Sequence, residues 1–396
     1  MKMLKKEIDH FRNLPVKLQQ LLLSFFFYSA AYPMISVFIN AYIWRNDSNL
    51  ISLTILRLGQ FVSVPFFFLL NGFLLKRYKI GTLYFFGSVV IAISALLITF
   101  FKNASLANYL FIGVMLGLGA GLYWSNRNYL TLKETDENNR SYFFGLSFSI
   151  STIIGLIVTF LIGWLIVFGL SYQILFFVAF VLIILSGYEV LKNSHNNPSI
   201  GSFFVVHPTA AWKRKRLIHL GIGLVEGLAF FLPSLLILKV LGNEGVLGTL
   251  TAVSSVISAL LIYFYGRKSR QEDNKKYFIV SILWSLIISL MMAVFFNRIT
   301  VAIYTLLNGL MINFIWLTVS PIVLKNIDTD VIGQEEERFG YIVDSEFFLN
   351  FGRVIAIIFC VLMSFYYGDD ITLRYSPLIL SVIQLVLFSY IEKNKS

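Results

Sequence analysis

Six charged side chains fall inside long apolar segments of the sequence, and they are the residues best suited to chemistry. A charge in the hydrocarbon core of a bilayer is costly, so it usually faces protein or water and becomes a candidate for binding an ion or a substrate. The six are Arg57, Arg127, Glu226, Asp344, Glu346 and Arg353. Arg353 and Glu226 lie deepest in their segments, which makes them the strongest candidates.

Glu226 is the carboxylate nearest to the centre of an apolar segment, and we predict that it couples to protons, with Glu346 as the second candidate. Burial favours the neutral form of a carboxylate, whereas water or a nearby cation favours the ionised form. Glu346, Asn350 and Arg353 are spaced i, i+4 and i+7, on one helix face. The alternatives are that Glu346 and Arg353 only neutralise each other and that Glu226 bonds a neighbouring helix.

Polar and aromatic side chains on shared helix faces predict contacts to a substrate. Arg57 and Gln60 share one face, and Tyr28 and Tyr32 recur four residues apart beside Pro33. The predicted contacts are Tyr28, Tyr32, Arg57, Gln60, Trp124, Trp316, Asn350 and Arg353. Helix packing is the alternative for the aromatic residues, because 39 Phe and 20 Tyr make aromatic stripes common by chance.

Other chemistries lack the residues that they need. Cys360 is the single cysteine, and the four histidines lack ligand spacing, so neither a disulfide nor a metal site is expected. The chain has no GxxxxGK[ST] loop for ATP and no Ser/His/Asp set or paired catalytic carboxylates in its short polar loops. We therefore expect no enzyme activity, no cofactor and no ATP-binding domain in this chain.

The composition describes an all-α integral membrane protein. Hydrophobic residues make up 57%, charged residues 13%, and the mean hydropathy is +0.77. Apolar stretches are long enough to cross a bilayer as helices. The twelve predicted spans are 21–43, 51–75, 81–101, 107–130, 141–166, 170–191, 217–238, 245–265, 277–296, 299–324, 340–366 and 375–391.

Positive charge alternates from loop to loop, which supports this count of spans. The two termini and the even-numbered loops hold 24 of the 32 Lys and Arg residues, and the odd-numbered loops hold five. The positive-inside rule therefore places both termini in the cytoplasm. The net charge of +11 follows from this bias and does not indicate nucleic-acid binding.

The two halves of the chain resemble each other. Residues 117–133 and 309–325 match at five positions with a constant offset of 192, including Trp124 with Trp316. Tyr32-Pro33 similarly corresponds to Leu232-Pro233. We predict two six-helix bundles in a parallel pseudo-twofold repeat, over 1–191 and 217–396, joined by a cytoplasmic linker over 192–216. Residues 203–206 and Trp212 of the linker would suit a short helix at the lipid interface.

Two six-helix halves with a basic linker resemble the major facilitator superfamily of secondary transporters. Residues 72–79, GFLLKRYK, are similar to the G-x-L-x-D-R-x-G-R motif of that family. Gly72, Leu74 and Arg77 match, whereas Lys76 replaces the acidic residue and Lys79 the glycine. The resemblance implies that spans 1, 4, 7 and 10 line a central cavity and that spans 2, 5, 8 and 11 flank it.

The departures from the motif limit what the resemblance implies. In the family, the acidic residue of the motif holds the two halves together on the cytoplasmic side. Lys76 stands at that position here and cannot take this role, but Arg77 could contact Glu134. Arg77, Arg127 and Asp344, near the cytoplasmic ends, are the predicted gating residues; snorkelling or locking of helix ends is the alternative. Span 5 lacks the glycine-proline signature of drug/proton antiporters, and no subfamily is identified.

These observations predict a proton-coupled secondary transporter for a small molecule with an anionic or zwitterionic group. The alternatives are a flippase for a lipid or lipid-linked sugar and, less favoured, a membrane sensor or enzyme. We expect a monomer in the bacterial cytoplasmic membrane, whose partners are the substrate and the lipid bilayer.

The topology can be tested with a reporter enzyme that is active only outside the cytoplasm. Fusions after residues 45, 169, 242 and 369 should be active, and fusions after 79, 205 and 271 should be inactive. Activity after residue 205 would place the linker outside and contradict the two-half arrangement.

Overall fold

The computed structural model describes residue 11 and residues 14–101, 105–135, 140–193, 195–268, 274–331 and 335–393. The regular structure in these ranges is helical. The α-helices are α1 Val16–Ser36, α2 Phe38–Asp47, α3 Leu50–Leu74, α4 Ile80–Leu97, α5 Leu106–Glu134, α6 Arg140–Val167, α7 Tyr172–Leu191, α8 Ala210–Ala229, α9 Leu232–Leu236, α10 Glu244–Lys268, α11 Asn274–Val294, α12 Arg298–Asp330, α13 Arg338–Tyr367 and α14 Asp369–Lys393.

Twelve helical stretches within the described ranges are long and apolar enough to cross a membrane. Span 1 consists of α1 and α2, and span 7 consists of α8, α9 and a short π-helical segment, Ile237–Leu241. Each of the other ten spans is one α-helix. The predicted all-α fold with twelve spans is confirmed.

The helices pack in the same pattern in both halves. In the first half, span 1 contacts spans 5 and 6, span 2 contacts span 4, and span 3 contacts spans 4 and 6. In the second half, span 7 contacts spans 11 and 12, span 8 contacts span 10, and span 9 contacts spans 10 and 12. The halves meet where span 2 packs on span 11 and span 5 on span 8. Adding six to each span number converts one half into the other, as the parallel repeat requires.

Spans 1 and 7 are both interrupted near a proline. Span 1 breaks at Val37, four residues after Pro33, and span 7 breaks at Phe230 and Phe231, just before Pro233. Proline lacks the N–H that a continuous helix needs, so neighbouring backbone groups require other partners. The sequence correspondence between Pro33 and Pro233 therefore coincides with a structural feature shared by the two halves.

Glycines allow the closest helix contacts. A Cβ atom added to Gly113 of span 4 would lie 2.1 Å from the carbonyl oxygen of Leu56 in span 2. Between the halves, a Cβ on Gly163 would lie 2.4 Å from the Glu244 carbonyl oxygen. These distances are far below van der Waals contact, so backbone approaches backbone only because the side chain is absent.

The end of the linker differs from the prediction. Helix α8 begins at Ala210, with the Thr209 hydroxyl accepting a hydrogen bond from the Trp212 N–H at 3.1 Å, so residues 213–216 belong to span 7. The expected short helix at the lipid interface is wrong. Trp212 is 1% exposed in the first turn of α8, and Phe203, outside any helix, stacks on Phe73 at 4.1 Å. Protein contacts therefore involve Trp212 and Phe203, which we had assigned to lipid, whereas Val206 of the same segment is 74% exposed.

We expect Gly113→Ala to destabilise the protein and Gly155→Ala to leave it unchanged or slightly more stable. Overpacking at a tight contact costs about 1–3 kcal/mol, whereas a Cβ on Gly155 has no atom within 4 Å. The measurement is the thermal unfolding midpoint of each purified variant in detergent. Equal midpoints for the two variants would contradict the close packing of spans 2 and 4.

Candidate substrate cavity and ion-pair layer

An ion pair whose two side chains are each 12% exposed joins spans 7 and 11 halfway along their lengths. The Arg353 guanidinium donates to Glu226 Oε2 from Nη2 at 2.8 Å and from Nε at 3.3 Å. Trp316 of span 10 donates from Nε1 to Glu226 Oε1 at 3.1 Å, and Arg353 Nη1 donates to Asn350 at 2.9 Å. Both carboxylate oxygens of Glu226 therefore hold neighbouring helices of the second half.

The first half has a polar cluster of its own around Arg57, which is 3% exposed. Arg57 donates from Nη2 to Asn40 Oδ1 at 2.6 Å and to the Ser36 carbonyl at 3.1 Å, and from Nη1 to Gln60 at 2.7 Å. Asn40 in turn donates to the Phe230 carbonyl at 2.7 Å. The cluster thus satisfies carbonyl groups beside the breaks in spans 1 and 7 and joins the two halves.

A cavity of about 700 Å³ lies between the halves, among the ends of the spans that are nearer the linker. Spans 1, 4 and 5 line one side, and spans 7, 10 and 11 line the other. Its aromatic residues include Phe25, Tyr28, Tyr32, Trp124 and Trp316. A volume of this size accommodates a small organic molecule.

A second cavity of about 320 Å³ lies further from the linker, among spans 1, 7, 8 and 10. Its wall is rich in hydroxyl and amide groups, and it also includes Glu226. Tyr32 and Asn313 line both cavities, so they mark the junction between them. The two cavities are therefore adjacent, with Tyr32 and Asn313 between them.

The face opposite the linker is closed by contacts between the halves. Arg45 at the end of span 1 donates from Nε to Glu244 Oε1 at 2.8 Å, and Tyr172 donates to the same oxygen at 2.9 Å. The backbone N–H of Leu50 also donates to Asp369 at 3.3 Å. These residues connect spans 1, 2 and 6 to spans 8 and 12, so the interface is joined on this face.

The structure divides the eight predicted substrate contacts into two groups. Those lining the larger cavity are Tyr28, Tyr32, Trp124 and Trp316. Those absent from the described walls of both cavities are Arg57, Gln60, Asn350 and Arg353. The second group was expected to face a substrate but faces protein partners, because the two arginines form the clusters described above. The alternative was that Arg353 pairs with Glu346 inside span 11. Arg353 instead binds Glu226 of span 7.

The two predicted coupling carboxylates lie in different places. Glu226 borders the smaller cavity, and Glu346 borders the larger one, where its Oε2 accepts from Asn350 at 3.2 Å.

The three predicted gating residues do not come together. Arg77 is exposed in the turn after span 2. Glu134, which we had considered as a contact of Arg77, lies 3.0 Å from His195 instead. Asp344 is fully buried and accepts from Arg216 and Trp212, all within the linker side of the second half. Arg127 lines the larger cavity.

Sequence reasoning missed the residues that close the opposite face. Arg45 and Glu244 lie at span ends, where charged residues are ordinary, so neither their types nor their spacing signals a contact. Asn313, at the junction of the cavities, was also missed, although it lies within the repeated stretch that includes Trp316.

Comparison with known proteins gives one relative over nearly the full chain. The uncharacterized protein YqgE of Bacillus subtilis (strain 168) is 26% identical over 377 residues, which cover 92% of this chain and 86% of that protein. A protein of Geobacillus stearothermophilus from the sodM 3′ region is 24% identical over 35% of this chain and 65% of its own length. No family model matches the sequence.

Solved structures resemble the whole chain. The nucleoside transporter NupG superimposes with a TM-score of 0.70 at 14% identity, covering 97% of this chain and 100% of its own. The human organic anion transporter MFSD10 (TETRAN) gives a TM-score of 0.65 at 10% identity, covering 95% and 99%. The chain has the major facilitator superfamily fold. The predicted resemblance to that superfamily is confirmed, and the larger cavity occupies the central interface of this major facilitator fold.

We expect Glu244→Gln to loosen the face opposite the linker. An ion pair with one partly exposed member contributes about 0.5–1 kcal/mol, so its loss should raise the ratio of open to closed molecules roughly two- to fivefold. Spin labels on cysteines at Phe168 and Ile299, exposed positions in the two halves, would report this as a longer distance. The native Cys360 is buried and should stay unlabelled.

Asp370→Asn is the matched control for this measurement. Its ion pair with Lys239 lies on the same face but within the second half. The distance distribution should therefore match wild type. The interpretation fails if Glu244→Gln leaves the distribution unchanged, or if Asp370→Asn changes it equally.

Proposed function

We propose that the protein is a secondary active transporter that moves a small molecule by alternating access between its two halves. The observation that carries this proposal is the cavity of about 700 Å³ between the halves, together with the contacts that join them on the face opposite the linker. A cavity between two halves that are joined on one face is expected of one of the states that alternating access requires.

The proposed location is the cytoplasmic membrane, with both termini and the linker in the cytoplasm. The distribution of Lys and Arg supports this orientation. The larger cavity would then face the cytoplasm. NupG and MFSD10 are named as transporters of nucleosides and of organic anions, and these names support transport as the activity of this fold.

Proton coupling through Glu226 completes the proposal. In its ionised form, Glu226 accepts hydrogen bonds from Arg353 of span 11 and Trp316 of span 10. Protonation would remove the charge that holds Arg353, so the attachment of span 7 to these helices would weaken. Because span 7 is also broken beside this point, the protonation state of Glu226 can bias the arrangement of the second half.

Glu226→Gln should abolish accumulation of substrate against a gradient while allowing binding and exchange. A permanently neutral side chain cannot cycle a proton. Purified protein is first screened by thermal shift against metabolites to find a stabilising compound. Uptake of that compound, radiolabelled, is then measured in proteoliposomes with an imposed pH gradient, with and without a protonophore.

Glu336→Gln, at an exposed glutamate beside the linker, is the control and should transport like wild type. Accumulation by wild type that is insensitive to the protonophore would contradict proton coupling and favour a sodium gradient. Full pH-dependent accumulation by Glu226→Gln would transfer the coupling role to Glu346.

A further inference from the structure

Arg127 lies on the wall of the larger cavity between aromatic rings. Its guanidinium carbon is 3.7 Å from the centre of the Phe25 ring and 4.4 Å from that of Trp124. The Tyr28 ring centre is 5.6 Å away. Stacking of this kind stabilises a guanidinium and restricts its orientation.

The hydrogen-bonding edge of Arg127 has no partner in the part of the chain that the structure describes. Among the described residues, it forms neither a hydrogen bond nor an ion pair, whereas Arg57 donates to three different residues and Arg353 to two. Glu134 is the next carboxylate along the same helix, and its partners are His195 at 3.0 Å and Lys17 at 3.8 Å. A guanidinium has five N–H donors, and its planar edge fits both oxygens of a carboxylate.

The rest of the cavity restricts the ligand to a single negative charge. Arg127 is the one Arg or Lys among its described lining residues, and Glu346 lies on the wall formed by the second half. A ligand with two negative charges would leave one of them without compensation and facing Glu346. A monoanion avoids this cost.

The lining also favours a planar apolar body. Trp124 and Tyr28 line the cavity beside Arg127, and Trp316 lines it from the second half. Aromatic side chains bind aromatic ligands through stacked and edge-to-face contacts with a large buried area. The rings beside the anion-binding edge would therefore contact the body of the same molecule.

We propose that Arg127 binds the carboxylate of an aromatic monocarboxylate in the larger cavity. This inference rests on the proposed function, because it names the class of substrate for the same cavity. Recognition of the negative charge is thereby assigned to the first half, separate from the Glu226–Arg353 pair of the second half.

The test compares acids with their neutral amides on the purified full-length chain in detergent. The probes are phenylacetate, indole-3-acetate and naphthalene-2-carboxylate, each paired with its amide and used at millimolar concentration. A ligand that binds the folded state raises the unfolding midpoint in a saturable manner. At least one acid should do so, and its amide should bind about 10- to 100-fold more weakly, because the charged hydrogen bonds are lost.

Variants assign the effect to Arg127. Arg127→Gln should remove the difference between acid and amide, and Arg127→Lys should retain part of it, since lysine keeps the charge but not the planar edge. Arg298→Gln, at an exposed arginine at the start of α12, should behave as wild type. Unliganded midpoints and size-exclusion profiles establish that each variant is folded.

Three outcomes would overturn the inference: no saturable stabilisation by any of the acids, equal stabilisation by acid and amide, or an unchanged preference in folded Arg127→Gln. This binding test does not depend on transport. Binding that depends on Arg127 without uptake into proteoliposomes would count against the proposed function alone. Uptake of a different compound, with no acid bound, would count against the inference alone.

Discussion

The contact between Glu226 and Arg353 is the interaction around which the second half is arranged. Two charges halfway along membrane helices are stable when they are paired and hydrogen-bonded. Here the pair joins span 7 to span 11, and the second oxygen of Glu226 binds Trp316 of span 10. Removing either charge leaves the other uncompensated, so this contact constrains three helices at once.

Span 7 is interrupted at Phe230 and Phe231, a few residues after Glu226, and span 1 is interrupted at the corresponding place in the first half, at Val37. The two halves satisfy the freed backbone groups jointly: Asn40 donates to the Phe230 carbonyl across the interface, and Arg57 donates to Ser36 within the first half. Phe61 and Phe230 pack between the two arginines at a ring distance of 5.2 Å. Arg57 therefore stabilises the interrupted helix of span 1, and neither Arg57 nor Arg353 is among the residues that line the two cavities.

The sequence was sufficient for the twelve spans, because apolar length and alternating loop charge are strong signals that survive in a single chain. It also indicated Trp124 and Trp316, which occupy matching positions of the repeat and line the larger cavity. It did not separate the arginines by role. Arg57, Arg127 and Arg353 are all charges inside apolar segments, and whether a guanidinium is hydrogen-bonded to protein depends on partners from other helices, such as Asn40 and Glu226. For the same reason, the pairing of Arg45 with Glu244, 199 positions apart, had no sequence signal.

In the proposed cycle, recognition of the substrate and coupling to protons occur in different halves, so the two must be linked by shared elements. Tyr32 borders both cavities, and its ring stacks on Tyr28 at 5.5 Å, which meets Trp124 edge-on at the same distance. Contact alone does not couple two sites; coupling needs an element with two arrangements that both sites bias. The break in span 1, just beyond Tyr32, can provide it, since a helix without continuous backbone hydrogen bonds bends at little cost. An anion held at Arg127 would then act on the break in span 1, and a proton bound at Glu226 on the break in span 7, and Asn40 joins the two breaks through the Phe230 carbonyl.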